Sequence, residues 1–238
     1  MRIWLMLVLL ALASPAFAGE SPQSATLWLR AQVTIDADGR IAALEWDEVG
    51  GTGRAVVDHI DPIVRGWEFV PGMVDGVPAA TRTRLTVRTL VEAEQGAILV
   101  SIDRASTGAS RISMPPPIYP EAALKGRVSA DVMVEVEIAA DGAVTLAGAS
   151  FEGSRGDAHR EKFLRAVEAV VPRWKFQLEE VGGRPIATRM SVPVSFCTMS
   201  ATWCEQRRRA AASRPVAPGE ALALESAVRL TSDPRSGI

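Results

Sequence analysis

The clearest alternation of apolar and polar positions lies in the second half of the chain. Val132, Val134, Val136 and Ile138 interleave with Met133, Glu135 and Glu137, the period of two expected of a strand with one buried face. Asp141-Gly142 then turns the chain, since Gly accepts the positive φ that hairpin turns require, and Val144 to Ala149 returns as the partner strand. From Asp157 to Val171 the pattern becomes helical: Phe163, Val167, Val170 and Val171 fall on one stripe, and Pro172 ends it. Trp174 and Phe176 sit two apart, so a strand there aims both rings at one core. After Gly182-Gly183-Arg184-Pro185, a last strand carries Met190, Val192, Val194 and Phe196 on one face. The order ββαββ, with one helix packed on an antiparallel sheet, predicts an α+β fold.

The same landmarks occur earlier in the chain, in the same order. Asp38-Gly39 matches Asp141-Gly142, Trp67-Glu68-Phe69 matches Trp174-Lys175-Phe176, Gly76-Val77-Pro78 matches Gly183-Arg184-Pro185, and Leu85-Thr86-Val87 matches Val192-Pro193-Val194. The offset changes only between the Asp-Gly turn and the Trp, where both stretches are loop-like and tolerate insertion. Two repeated ββαββ modules are therefore expected. The first is the less regular, because Pro62 inside the helical stretch Arg54 to Arg65 shortens or kinks it. Residues 19–91 and 115–204 make up the modules, and 92–114 connects them, with Ala97 to Ile102 readable as one more strand of the first sheet. Residues 205–238 read as a mobile, net-basic arm with a short helix from Gly219 to Leu230.

The N-terminus adds an address. Arg2, an apolar run from Ile3 to Ala13, Pro15 and Ala16-Phe17-Ala18 follow the order of a secretory signal peptide over residues 1–18. The run is shorter than the roughly 20 residues that span a bilayer, although an uncleaved anchor is the competing reading. Export favours pairing of the only two cysteines, Cys197 and Cys204, in a disulfide; a redox dithiol is the alternative, at a spacing unlike C-x-x-C.

Composition narrows the function. Of 238 residues, 23% are charged and the net charge is −2, which argues against a nucleic-acid binder. Two histidines, His59 and His159, leave little for a metal cluster and read as surface residues, so no metal or cofactor is expected. No nucleophile elbow, zinc-protease helix, dinucleotide fingerprint or phosphate loop occurs, so no catalytic residue is assigned and an enzyme is disfavoured. Asp157, Glu161 and Glu168 interleave with basic residues as surface helix pairs. Arg82, Arg84 and Arg88 form a basic stripe, read first as a solvated sheet face and second as a lure for an acidic partner. Trp28, Trp46, Trp67 and Trp174 read as core residues.

Tyr119-Pro120 with Glu121-Ala122-Ala123, the Val-rich strand, Asp141-Gly142, Trp174-x-Phe176, Gly183-x-Pro185 and Val192-Pro193-Val194-Ser195-Phe196 together resemble the C-terminal domain of TonB-family energy transducers. The resemblance is strong over 115–197 and degenerate over 26–91. It implies a periplasmic binding domain that adds a segment of an outer-membrane receptor, or of another envelope protein, to its sheet edge as an extra strand. The sequence departs from a transducer in its cleavable-looking N-terminus and in having only Pro115 to Pro117 where a long Pro-rich spacer is expected.

On this reading Arg189, Met190, Ser191, Val192, Pro193, Val194, Ser195 and Phe196 form the partner-binding edge, since an unpaired strand edge offers N–H and C=O groups to an extended peptide. Pro193 fits an edge but also blunts it. The expected protein is a non-catalytic periplasmic binding module, with membrane contact only indirect or through an uncleaved N-terminus, and with a homodimer left open. Its alternatives are an inner-membrane-anchored energy transducer and a structural scaffold in which the two modules cap each other's edges.

Overall fold

In a computed structural model the described residues are 23–94, 97–152, 157–198, 202, 204 and 222–235. The expected signal peptide, residues 1–18, and residues 205–221 of the arm lie outside them.

The first half builds β1 (Gln23–Ile35), β2 (Ile41–Trp46), α1 (Gly51–Arg65), the short β3 (Phe69–Val70), β4 (Met73–Val74) and β5 (Val77–Pro78), then the long β6 (Thr81–Glu94) and β7 (Ala97–Gly108). Leu29, Ala31, Val33 and Ile35 of β1 are buried at period two, and from α1 Val56, Val57, Ile60 and Val64 pack onto them. Pro62 lies inside α1 on its exposed side, and the helix runs through it. Asp38-Gly39 closes the β1–β2 turn with Gly39 at φ +81, where a Cβ would lie 2.0 Å from the Phe69 carbonyl oxygen. Only glycine fits, and the Phe69 N–H donates to the Gly39 carbonyl oxygen at 2.8 Å.

The second half follows through β8 (Ser110–Ser113), α2 (Glu121–Lys125), β9 (Ala130–Ile138), β10 (Val144–Glu152), α3 (Arg160–Glu168), β11 (Lys175–Gln177), β12 (Glu180–Val181), β13 (Arg184–Pro185) and β14 (Thr188–Phe196). Its helix is shorter than the sequence predicts, because single 3₁₀ turns at Asp157–His159 and Val171–Arg173 flank it. Two further strands, β15 (Leu222–Ala223) and β16 (Arg229–Leu230), come from the C-terminal arm.

The strands form two principal antiparallel sheets. In the larger, β1 lies between β2 and β6, and the far side of β6 is shared by β7 and the β12–β13 hairpin. The smaller has the order β10-β9-β14-β15. Three expectations need correction. The β12–β13 hairpin belongs in sequence to the second module, yet it pairs with the first half's β6, so each stretch does not close its own sheet. The described part of the arm, 222–230, holds two short paired strands at its ends and no helix, because Val228 and Leu230 gain more by packing on the first core than by winding on the surface; the start of the expected helix lies outside the described residues. The basic stripe is largely neutralised: Arg84 pairs with Asp47, and Arg88 with Asp103 at 3.2 Å while covering the Trp28 ring.

Where the three segments meet sits one buried carboxylate. Glu179, 1% exposed, accepts from the Thr83 hydroxyl of β6 at 2.6 Å, from the Ser226 hydroxyl at 2.9 Å and from the Ala227 N–H at 2.8 Å. Beyond it, the N–H of Thr231 and its hydroxyl both donate to the Glu68 carbonyl oxygen. The C-terminal segment is thus a strap across both halves.

Candidate functional site

Strand β14 owes its conformation to alternation: Met190, Val192, Val194 and Phe196 enter the core of the second half while Arg189, Ser191, Pro193 and Ser195 face the other way. That core is anchored by residues singled out in the sequence. The Tyr119 ring stands edge-on to Phe163 and Phe196 at centroid distances of 5.9 and 5.4 Å, and its hydroxyl donates to the Val128 carbonyl oxygen at 2.6 Å. Burial pushes the Tyr119 hydroxyl pKa up, against the smaller opposing effect of Thr198 and Ser129. Trp174 donates its indole N–H to the Pro115 carbonyl oxygen at 3.0 Å, which docks the Pro-rich entry, and Pro120 precedes α2 as its N-cap residue. Asp141 accepts from the Ala143 N–H, and Gly142 takes φ +86 in the same turn. Phe176 is buried in β11, while Gly183 and Pro185 shape the β12–β13 hairpin. These motif residues build the module and are not gathered at one surface.

One side of β14 is fully paired with β9, from Thr188 opposite Ile138 to Phe196 opposite Ala130. The outer side is the expected docking edge, and part of it is taken. Met190 and Ser191 pair with Ala223 and Leu222, the Leu224 N–H donates to the Arg189 carbonyl oxygen at 2.9 Å, and the Thr188 hydroxyl donates to the Glu225 carbonyl oxygen at 3.2 Å. The sequence expectation of an edge free along its whole length is therefore corrected. Unpaired backbone groups on a long edge need a partner, and the strap supplies one. Among the described residues no strand pairs with the outer side of Val192–Phe196.

The geometry also fixes which groups face outward. In an antiparallel strand the N–H and C=O of one residue point to the same side, and the side alternates along the chain. Since the Arg189 carbonyl faces the strap, Arg189, Ser191, Pro193 and Ser195 are the outward-facing residues. Pro193 consequently withholds an N–H from any guest and leaves the ladder with β9 intact.

Residues 115–198 match the family model of the Gram-negative bacterial TonB protein C-terminal domain. The chain is 36% identical over 92 residues to Protein TonB of Xanthomonas campestris pv. campestris strain B100, and equally to that of strain ATCC 33913. That stretch is 39% of this chain and 39% of each relative's length. The TonB-like stretch thus contains β14 and every motif residue named above.

Cys197 and Cys204 are joined in a disulfide, with Cα atoms 5.9 Å apart, just beyond the end of β14. No group of three metal-ligating side chains occurs among the described residues. No helix among them is long and apolar enough to cross a membrane. His59 is exposed and His159 half-buried, and Glu161 pairs with Arg165 on the surface of α3. Sequence reasoning missed Glu179 and the strap. The alternation of Ala and Leu from Ala221 to Leu224 was the available signal for the strap; nothing in the sequence marks Glu179 apart from its neighbour Glu180.

Proposed function

We propose that the protein is a non-catalytic binding module of the cell envelope, exported to the periplasm, whose TonB-like half takes an extended segment of an outer-membrane receptor or another envelope protein as an added strand on β14. The observation that carries this reading is the outer side of β14, held over only part of its length by the short strap. The match to the TonB C-terminal family supports an envelope protein as partner. We further read the two halves as copies of one plan, because β6-β1-β2 and β14-β9-β10 have the same strand order, each with a hairpin, a helix and a Trp-x-Phe segment in sequence.

Titrating isotope-labelled protein with peptides from receptor N-termini tests the docking role. Amide shifts confined to Arg189–Phe196 support it; unchanged spectra at millimolar peptide sink it. N-terminal sequencing of the cellular protein separates a cleaved periplasmic form from an anchored transducer. The scaffold reading has one observation in its favour, the β12–β13 hairpin seated on β6. If hydrogen exchange finds the Arg189, Ser191 and Ser195 amides all strongly protected in the protein alone, the scaffold reading replaces ours.

A further inference from the structure

The two ends of the β14 edge differ in what they offer a guest. Towards Phe196 the outward residues are Pro193 and Ser195, which present two carbonyls and a single N–H. Towards Thr188 they are Arg189 and Ser191, which present two carbonyls and two N–H groups, and this richer end is where the strap sits. A guest confined to Val192–Phe196 forms a poor ladder, so full docking requires the strap's place.

The strap is held unequally. From Ser226 onward it is tied down: Ser226 and Ala227 bond to Glu179, Thr107 shares a hydrogen bond with Ser226 at 3.0 Å, and Val228 is buried in the first core. Ahead of Ser226 it lies on the surface, with Leu224 47% exposed. One neighbour constrains it there. Gly108, at the end of β7, has φ +136, and a Cβ built on it would come within 2.4 Å of the Ala223 Cβ. The strand opposite Met190 is therefore pressed against bare backbone.

We infer that Leu222–Glu225 is the resident occupant of a strand-exchange site on β14, and that the segment able to replace it runs antiparallel to β14 and carries a small residue opposite Met190, where Gly108 leaves no room for a larger one. Residues from Ser226 onward stay anchored during the exchange, so the strap peels from one end and can return. This rests on the reading of β14 as a guest edge and specifies the chemistry of its guest.

The test uses the whole protein and a synthetic peptide copying Glu220 to Ser226. Leu224→Pro removes the N–H that donates to Arg189 without touching a buried side chain. Amide exchange at Arg189 and Ser191 should accelerate at least tenfold, with Met190 and Val192, which face β9, unchanged. The peptide should shift the Arg189 and Ser191 resonances at concentrations at least fivefold lower in the variant than in the parent protein. A peptide with Leu in place of the residue copying Ala223 should lose that binding. Ala223→Leu in the protein provides a second route to release should Leu224→Pro fail to fold. Unchanged exchange in the released variants overturns the strap as occupant while leaving the guest edge standing. Fast exchange without peptide binding overturns the guest edge and the strap's role together. Equal binding of the small and bulky peptides overturns the size rule set by Gly108.

Discussion

Strands β6 and β14 hold the same place in their sheets, next to β1 and β9, yet their outer sides are treated differently. The outer side of β6 is closed along nearly its whole length, by β7 from Arg84 to Glu94 and by β12 at Thr81 and Arg82. On β14 the strap pairs two residues, and Pro193 withholds an N–H further along. An open strand edge invites unwanted pairing, and sealing or blunting it are two remedies with different consequences. A sealed edge is structure. One blunted by a proline and a short, surface-lying strap leaves backbone groups that a competing strand could pair with. That difference is why the proposed binding role falls on the second half, although the first has the longer strand.

The largest expected effects test whether the two halves fold as one. Phe163 is fully buried between Tyr119 and Phe196, and Ile60 is fully buried on the inner face of α1. Truncating Phe163 to Ala should cost about 3–5 kcal/mol and Ile60 to Ala about 2–5 kcal/mol. Because β12, the Glu179 cluster and the strap tie the halves, either loss should shift a single urea transition. Two separate transitions, each answering to one substitution, would make the halves independent and the comparison merely topological.

Next in size is Glu179→Ala. It leaves the Thr83 and Ser226 hydroxyls and the Ala227 N–H without their acceptor, at a cost of about 3 kcal/mol. Exchange at Ala227 and Val228 should accelerate more than exchange at Val33, deep in the first sheet. A loss below about 1 kcal/mol would show that the strap is held by Val228 burial alone.

The sequence makes the local structure of the second half legible because its signals are local. The alternation from Val132 to Ile138, the Asp141-Gly142 turn and the Met190 to Phe196 face all appear as read, as does the extra strand at Ala97 to Ile102, which the structure extends to Gly108. What stays illegible depends on distant partners. Glu179 and Glu180 look alike in sequence, yet one is buried on three donors and the other lies in β12. Arg84 and Arg88 resemble a basic stripe until Asp47 and Asp103 are brought beside them. The candidate edge was readable as a strand but not as an occupied one, since Ser191 and Leu222 lie 31 positions apart in the chain and only tertiary structure joins them.

The halves should also differ in which pH limit they set. In the first half, burial works to raise the Asp61 pKa, but hydrogen bonds from Arg65 and Trp46 and the Arg65 charge outweigh it and hold the carboxyl below its ordinary 3.8. A carboxyl pKa lowered by folding contributes stability above the unfolded value, and this is lost as pH falls through the folded one. In the second half the Tyr119 pKa is raised above 10.0, so its contribution is complete below that value and declines as pH rises through the folded pKa. Asp61→Asn should flatten the acid limb of a stability–pH curve, and Tyr119→Phe the alkaline limb above pH 10. A curve whose alkaline limb is unchanged in Tyr119→Phe would remove Tyr119 from the account.

The smallest effect bears most directly on the edge. Pro193→Ala restores an N–H to the outward face of β14 and leaves the ladder with β9 untouched, because position 193 bonds only outward. One added backbone hydrogen bond is worth about 1 kcal/mol, or roughly fivefold in affinity. Any peptide that docks on β14 should therefore bind the variant several-fold more tightly, and the variant alone should self-associate more readily at high concentration, seen by light scattering. The equivalent strand in the first half provides the control. Thr86, which the sequence pattern sets opposite Pro193, lies in a stretch of β6 already paired with β7, so Thr86→Pro should break an existing ladder and destabilise the fold instead of changing binding. If both substitutions move only stability, the outer sides of β6 and β14 are alike in use, and the open edge is a feature of shape without a guest.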